Sequence, residues 1–418
     1  MKNTLDSDNA PGDMTRPAML NKWLVLALVF SVHMFVVGLP WTVMPVLFST
    51  TEKELGLSLS QIGLLWSMLP VGTALVAVPG GMLGDRIGFT KSIGIGCLAV
   101  AIANGLRGLS GNLATLSLSM LFTGAAVALV FPNLQRIAAD FFPRRQLGLA
   151  TGIAISGFAV GGVLTTALSA TVIMPAVGGW RNVLFVYSAL CLAMGVIWFL
   201  VMRKADAAGR GGQDTRRAPF RESISAVFKT REAWLLSIGN LGVVGSFISL
   251  NGYLPVYLEK IGLSKSVGDT MSSTLFVASI VGAIGIPALA DRIGAMKAVM
   301  IASAVLTAAS VLFLSLSNST LFWVLIPLAG CLSQGVGTLV VAYAIQLKQI
   351  GSLYAGTALG LIGGLANFGG FVLPLAGGRL AEVNDTWPFI LWASAALAGT
   401  VCFVVLKERR QSAEIAKA

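Results

Sequence analysis

Residues 83–91 read LGDRIGFTK, and residues 289–297 read LADRIGAMK. Leu83/Leu289, Asp85/Asp291, Arg86/Arg292, Ile87/Ile293, Gly88/Gly294 and Lys91/Lys297 coincide, so one charged phrase is written twice, half a chain apart. A second pair follows at nearly the same offset. GLATGIAISGFAVGGVL (148–164) and GTALGLIGGLANFGGFV (356–372) share Gly148/Gly356, Ala150/Ala358, Gly152/Gly360, Gly161/Gly369 and Gly162/Gly370. Two matches in register make the chain a repeat of two halves, a symmetry that places a binding site between two moving bundles in secondary transporters.

The solvent around those halves is lipid. The 418 residues are 56% hydrophobic and 11% charged, with a mean hydropathy of +0.82, too little charge to cover a water-soluble surface. Crossing a hydrocarbon core of about 30 Å takes roughly 20 helical residues. Apolar runs of that length recur at about 22–48, 59–83, 91–109, 113–141, 147–173, 180–202, 233–257, 267–290, 296–316, 320–345, 354–378 and 386–406. The fold class is thus all-α and polytopic, with twelve transmembrane helices in two pseudo-symmetric six-helix bundles. Ser58-Leu-Ser-Gln61 reads as a capping box at the start of the second run. The frequent glycines inside the runs let helices approach closely where lipid gives no drive to associate.

The net charge of +11 does not indicate nucleic acid, because the bases lie between apolar runs and not along one soluble face. Most Lys and Arg residues fall in alternate connections and both tails, which places the N- and C-termini in the cytoplasm. The division expected is a cytoplasmic tail at 1–21, a six-helix bundle at 22–202, a basic cytoplasmic linker at 203–232, a second bundle at 233–406 and a tail at 407–418. The polar start is an uncleaved tail rather than a secretory signal. Cys97, Cys191, Cys331 and Cys402 all lie inside apolar runs and read as packing residues. No GxxxxGK[ST], HExxH, Cys/His cluster or serine-nucleophile constellation occurs, so an ATP-driven motor and an enzyme are disfavoured and no cofactor or metal is expected.

GMLGDRIGFTK resembles the loop signature of the major facilitator superfamily, Gly-x-Leu-(Ala/Gly)-Asp-Arg-x-Gly followed by basic residues, between helices 2 and 3. PALADRIGAMK resembles its counterpart between helices 8 and 9, with Pro287 at the first Gly. The resemblance covers residues 20–408. It implies that Gly81, Asp85, Arg86, Gly88, Lys91, Asp140, Asp291, Arg292 and Gly294 form a cytoplasmic latch of the outward-open state. Locally, Gly88 and Gly294 suit a tight turn, Asp85 can accept from a neighbouring helix start, and Arg86 can reach Asp140. The bland reading is that these charges only set topology.

The resemblance also implies that helices 1, 4, 7 and 10 line a central cavity. Candidates for solute binding or coupling are few, since charge within a membrane is costly. His33 is the only histidine and falls at mid-membrane, where it can carry a coupling proton or serve as a neutral core group. Asn133, Arg136 and Asp140 form one polar stripe; Arg136 can meet an anionic solute or pair with Asp140. Asn240, Asn251, Tyr253, Gln334 and Asn367 can face the solute or serve as interhelical hydrogen bonds. Trp41 and Trp66 read as packing groups, and Arg107 and Arg181, at outer helix ends, as snorkelling cations.

Within the superfamily, drug–proton antiporters place an arginine where Met120 stands, and end helix 5 with Gly-Pro where Gly162-Val163 stands here. Nitrate porters need an arginine inside helices 2 and 8, and neither run has one. NFGGFVLPLAGG, near the end of helix 11, looks more like organic-anion and cyanate-type permeases. The function expected is proton-coupled uptake of a small organic solute, such as a carboxylate, by a monomer in the cell membrane. The alternatives are facilitated diffusion or efflux of an uncharged metabolite or drug, and a transporter-like solute sensor signalling through 203–232.

Overall fold

The computed structural model of the protein describes residues 21–141, 144–207, 225–316, 319–345, 347, 350 and 355–406. Helices α1 (Lys22–Leu55) and α2 (Leu59–Ile87) are followed by α3 (Phe89–Gly108), α4 (Leu113–Phe141), α5 (Arg144–Leu168, prolonged by Ser169–Ile173 and Met174–Val177) and α6 (Trp180–Ala207). The second half holds α7 (Arg231–Lys260), α8 (Lys265–Ile293), α9 (Met296–Leu314), α10 (Ser319–Ile345), α11 (Ala355–Val383) and α12 (Trp387–Val405). Eleven of these are long and apolar enough to cross a membrane alone. The remaining one, α3, has 20 residues, and Lys91, Asn104 and Arg107 lower its hydropathy. It crosses packed on α4 and α6. The residues between α6 and α7 that fall in 208–224, and both tails, lie outside the described residues.

Several helices outrun the apolar stretches. The first reaches Leu55, where Gly56 stops it with a left-handed φ of 62°; the seventh and eighth continue to Lys260 and from Lys265. Polar turns beyond the hydrocarbon keep their backbone bonds within the helix, so hydropathy alone ends a span too early. The capping box forms: Ser58 N–H donates to Gln61 Oε1 at 2.9 Å and Gln61 N–H to Ser58 Oγ at 3.2 Å. Its repeat, Ser264, caps Val267. Gly88 and Gly294 make their turns at φ 88° and 70°, conformations that a Cβ opposes.

The repeat holds at the level of contacts. A Cβ at Gly38 would stand 3.1 Å from Gly161 Cα, pinning α1 to α5; one at Gly245 would stand 3.0 Å from Gly369 Cα, pinning α7 to α11. Thr73 donates to the Gly124 carbonyl at 3.1 Å between α2 and α4. Ser279 donates to the Gly330 carbonyl at 3.3 Å between α8 and α10.

Among the described residues, the first half carries two widened turns that the second lacks, one at Ser169–Ile173 in α5 and one in α1. Helix α1 widens to a π-turn over His33–Gly38, just before Pro40. In an i+5 register the Phe35 carbonyl would need the N–H that Pro40 does not have. The Cys191 thiol donates to that carbonyl instead, at 3.2 Å.

Candidate functional site

The halves meet along α1, α2 and α5 on one side and α7, α8 and α11 on the other. They are joined near the face opposite the termini, termed distal. Lys53 and Glu259, at equivalent positions 206 residues apart, pair at 2.7 Å. Lys265 Nζ crosses to α1, donating to Ser49 Oγ at 2.9 Å, the Val46 carbonyl at 3.4 Å and Thr50 Oγ1 at 3.5 Å. Deeper, Ser67 donates to the Phe371 carbonyl at 2.8 Å, and its repeat equivalent Ser273 meets Thr166 at 2.7 Å. Trp66 Nε1 donates to the Ile248 carbonyl at 2.8 Å, so Trp66 is a packing group of this seam. Flanking pairs stay within each half with their charges exchanged: Glu54 with Arg181 in the first, Lys260 with Asp385 at 3.1 Å in the second. The distal end is shut.

Beneath the seam runs a row of rings. Trp41 and Phe158 are 6.5 Å apart edge-to-face, as are Phe158 and Phe276, and Phe276 and Phe247. The row links α1, α5, α8 and α7 across the junction of the halves near mid-membrane. Trp41 and Phe158 are half-buried, while Phe276 and Phe247 are buried.

The expected polar candidates do not converge on one point. His33 is fully buried; Nδ1 pairs with the Val29 carbonyl at 3.0 Å and Nε2 has no partner. It packs edge-on to Phe131 at 5.7 Å. Asn133 is buried and donates to the Gly80 and Leu129 carbonyls and Ser92 Oγ, tying α4 to α2 and α3. Asn240 is buried with its Oδ1 unpartnered, and Asn251 is buried. Tyr253 donates towards Asp385 at 3.3 Å and packs on Tyr257, Phe389 and Trp392, which sets it at the distal end of the second half. Gln334 is half-buried. Asn367 is half-buried too and donates to its own helix at the Gly363 carbonyl.

Of the expected latch, Lys91, Asp291 and Arg292 are exposed, and no ion pair joins them to another described residue. Gly81, Asp85 and Arg86 fall on α2, and Arg136 and Asp140 on α4; their side chains lie outside the described residues. Lys297, the repeat of Lys91, donates to the Leu406 carbonyl at 2.5 Å and so caps α12.

One expectation is overturned. Arg107 does not snorkel. It is fully buried, with Nε on Thr123 Oγ1 at 3.0 Å and Nη2 on the Pro40 carbonyl at 2.8 Å. The last turn of α3 points inward, and the hydroxyl and carbonyl waiting there solvate the guanidinium in place of headgroups. Arg181, by contrast, stays at the distal end beside Glu54 and also donates to the Ser110 carbonyl at 3.3 Å.

Another residue escaped the sequence reading. Asp269, inside the eighth apolar run, is 3% exposed with Oδ2 unpartnered. An acid four residues after Lys265 within an apolar run was the available signal.

The Major Facilitator Superfamily model matches residues 26–354. The chain is 27% identical over 408 residues to the gallate transporter of Pseudomonas putida, covering 90% of this chain and 89% of that one. It is 24% identical over 369 residues to the gentisate transporter of Corynebacterium glutamicum, covering 86% and 82%. It is 23% identical over 389 residues to the D-galactonate transporter of Escherichia coli, covering 85% and 88%. A crystal structure of a bacterial homologue of the human lysosomal transporter Spinster, inward-facing and unoccupied, superposes with a TM-score of 0.65 at 18% identity. It covers 94% of this chain and 96% of that one, and supports the fold alone. Sequence signature, repeat, twelve helices and these matches agree: the chain is a multi-pass membrane transporter that belongs to the Major Facilitator Superfamily.

Proposed function

We propose that the protein takes up a small organic carboxylate bearing an aromatic ring, together with protons, by alternating access. The observation that carries this reading is the ring row Trp41–Phe158–Phe276–Phe247, which lies where the halves meet and just under a shut distal seam. A flat aromatic solute can continue such a row edge-to-face, a geometry worth about 0.5–1.5 kcal/mol per pair beyond its area. Relatives that carry gallate and gentisate support the same class.

In this reading Arg136 receives the carboxylate, through a fork that suits it, and His33 holds the coupling proton. Asn240, Asn251, Gln334 and Asn367 supply the remaining polar contacts as the halves rock, while Asn133 and Tyr253 stay with their partners within each half. Asp85, Arg86, Asp140, Asp291 and Arg292 latch the face bearing the termini in the opposite state, with Gly81, Gly88, Lys91 and Gly294 shaping the two loops. That face is cytoplasmic by the distribution of Lys and Arg, and the protein works as a monomer in the cell membrane.

A thermal-shift screen of benzoates, hydroxybenzoates and aliphatic acids on the purified protein tests the class. Aromatic acids should stabilise it, and Trp41→Ala should weaken their binding about tenfold. Stabilisation by aliphatic acids alone would refute the ring row as the site. A second reading, facilitated diffusion of an uncharged metabolite, is favoured by the full burial of His33, whose Nδ1 is held by the Val29 carbonyl of its own helix. Uptake that ignores a pH gradient and survives His33→Ala would select it.

A further inference from the structure

Asp269 sits in the second turn of α8, on the wall of a cavity of about 10 Å³ lined by Val46 and Ser49 of α1, Pro255 and Glu259 of α7, and Ser264, Lys265 and Gly268. That volume admits about one water. The carboxyl is 3% exposed, and its Oδ2 meets no donor. Two charged groups stand near it, and both are engaged elsewhere. Glu259 pairs with Lys53, and Lys265 Nζ is turned across the seam onto Ser49, Val46 and Thr50. The other helices packed on α8 add nothing to balance a charge: α10 and residues 152–177 of α5 contain no charged residue, and Lys297 of α9 is at the opposite face on Leu406.

An ionised carboxylate enclosed without a partner costs several kcal/mol, even after relaxation. The neutral acid costs less, about 1–3 kcal/mol for an unpartnered polar group. Lys265 and Asp269 are also four residues apart on one helix, the spacing at which opposite charges meet on a helix surface. In the shut seam Lys265 forgoes that partner for α1. Once α1 withdraws from α7 and α8, its hydroxyl and carbonyl acceptors leave with it, water reaches Asp269, and the i,i+4 pair can form.

We propose that Asp269 is a proton-binding site that operates the distal seal. The seam shuts over the neutral acid and opens to an ionised Asp269 paired with Lys265. The proton enters from the distal solution before closure and returns there on reopening, so no proton crosses the membrane by this route. The site is therefore separate from the coupling proton. It rests on the transport reading only in requiring that the seam open and close.

The test measures the seam directly. Spin labels at Leu109→Cys and Leu316→Cys, exposed positions in distal loops of the two halves, report their separation by pulsed electron resonance in lipid nanodiscs. The four natural cysteines are replaced by alanine. With Asp269 present, the shut-to-open ratio should fall with rising pH, by up to tenfold per pH unit for one proton. Asp269→Asn, which keeps the shape of the neutral acid, should hold the seam shut and remove the slope. Glu259→Gln should leave the slope in place. A slope that survives Asp269→Asn, a wild-type ratio that does not change with pH, or a slope lost in Glu259→Gln but kept in Asp269→Asn would each overturn the proposal. Failure of the solute reading shows separately: no carboxylate would bind or be carried, while the pH slope and its loss in Asp269→Asn would stand.

Discussion

Two neighbouring glycines on α5 should respond to the same substitution in opposite ways. Gly162 faces the other half: a Cβ there would lie 2.5–2.7 Å from three ring atoms of Phe276 on α8. Carbon atoms settle near 3.5–4.0 Å, so Gly162→Ala demands about 1 Å of movement from a ring that is buried and held in the aromatic row. Overpacking of this kind costs about 1–3 kcal/mol. The cost falls only on the shut seam, because opening separates α5 from α8. The shut-to-open ratio should therefore drop roughly 5- to 150-fold, read with the Leu109/Leu316 label pair. Gly161 instead faces α1 within its own half, where a Cβ would stand 2.7 Å from the Met34 carbonyl and 3.0 Å from Gly38 Cα. Gly161→Ala should lower the melting temperature and leave the ratio alone. An unchanged ratio in a stable Gly162→Ala protein would refute the claim that this seam is the moving surface.

Other perturbations separate the remaining roles. Arg107→Met should cut the ties from α3 to Thr123 of α4 and to the Pro40 carbonyl of α1, at about 1.5–3 kcal/mol for hydrogen bonds to a charged group, visible as reduced thermal stability; Arg107→Lys, which cannot fork to both, should recover part of it. An Arg107→Met protein as stable as the parent would show that the buried guanidinium is dispensable to the fold. Asp85→Asn should slow uptake without abolishing solute binding, and unchanged initial rates would remove the latch. Lys53→Met should alter stability by less than about 1 kcal/mol, since its ammonium is largely in solvent and such pairs contribute little; a larger loss by calorimetry would contradict that view of the rim.

The doubled phrase made the architecture legible because a repeat of a charged turn in an apolar chain carries information at both scales. It marked the same loop in each half, and the pairs Gly38–Gly161 and Gly245–Gly369 continue the symmetry into the packing. The site was less legible for a physical reason. Polar residues inside a membrane protein have two uses, and spacing does not tell them apart: Asn133 spends its donors on α2, α3 and its own helix, and Tyr253 faces Asp385. Arg107 looked like a helix-end cation because sequence position says nothing about which way a last turn points. Asp269 went unread because its meaning depends on Lys265 being turned away from it, which only the fold determines.

The central claim is that the halves exchange a small aromatic carboxylate across the membrane. Counterflow tests it without assuming any driving ion. Proteoliposomes loaded with unlabelled 2,5-dihydroxybenzoate are diluted into a trace of the labelled acid. Alternating access predicts a transient accumulation of label above equilibrium that decays with time and is absent from empty liposomes and from vesicles loaded with an aliphatic acid. A signal no greater than that of protein-free vesicles, across the aromatic acids that stabilise the protein, would contradict the account.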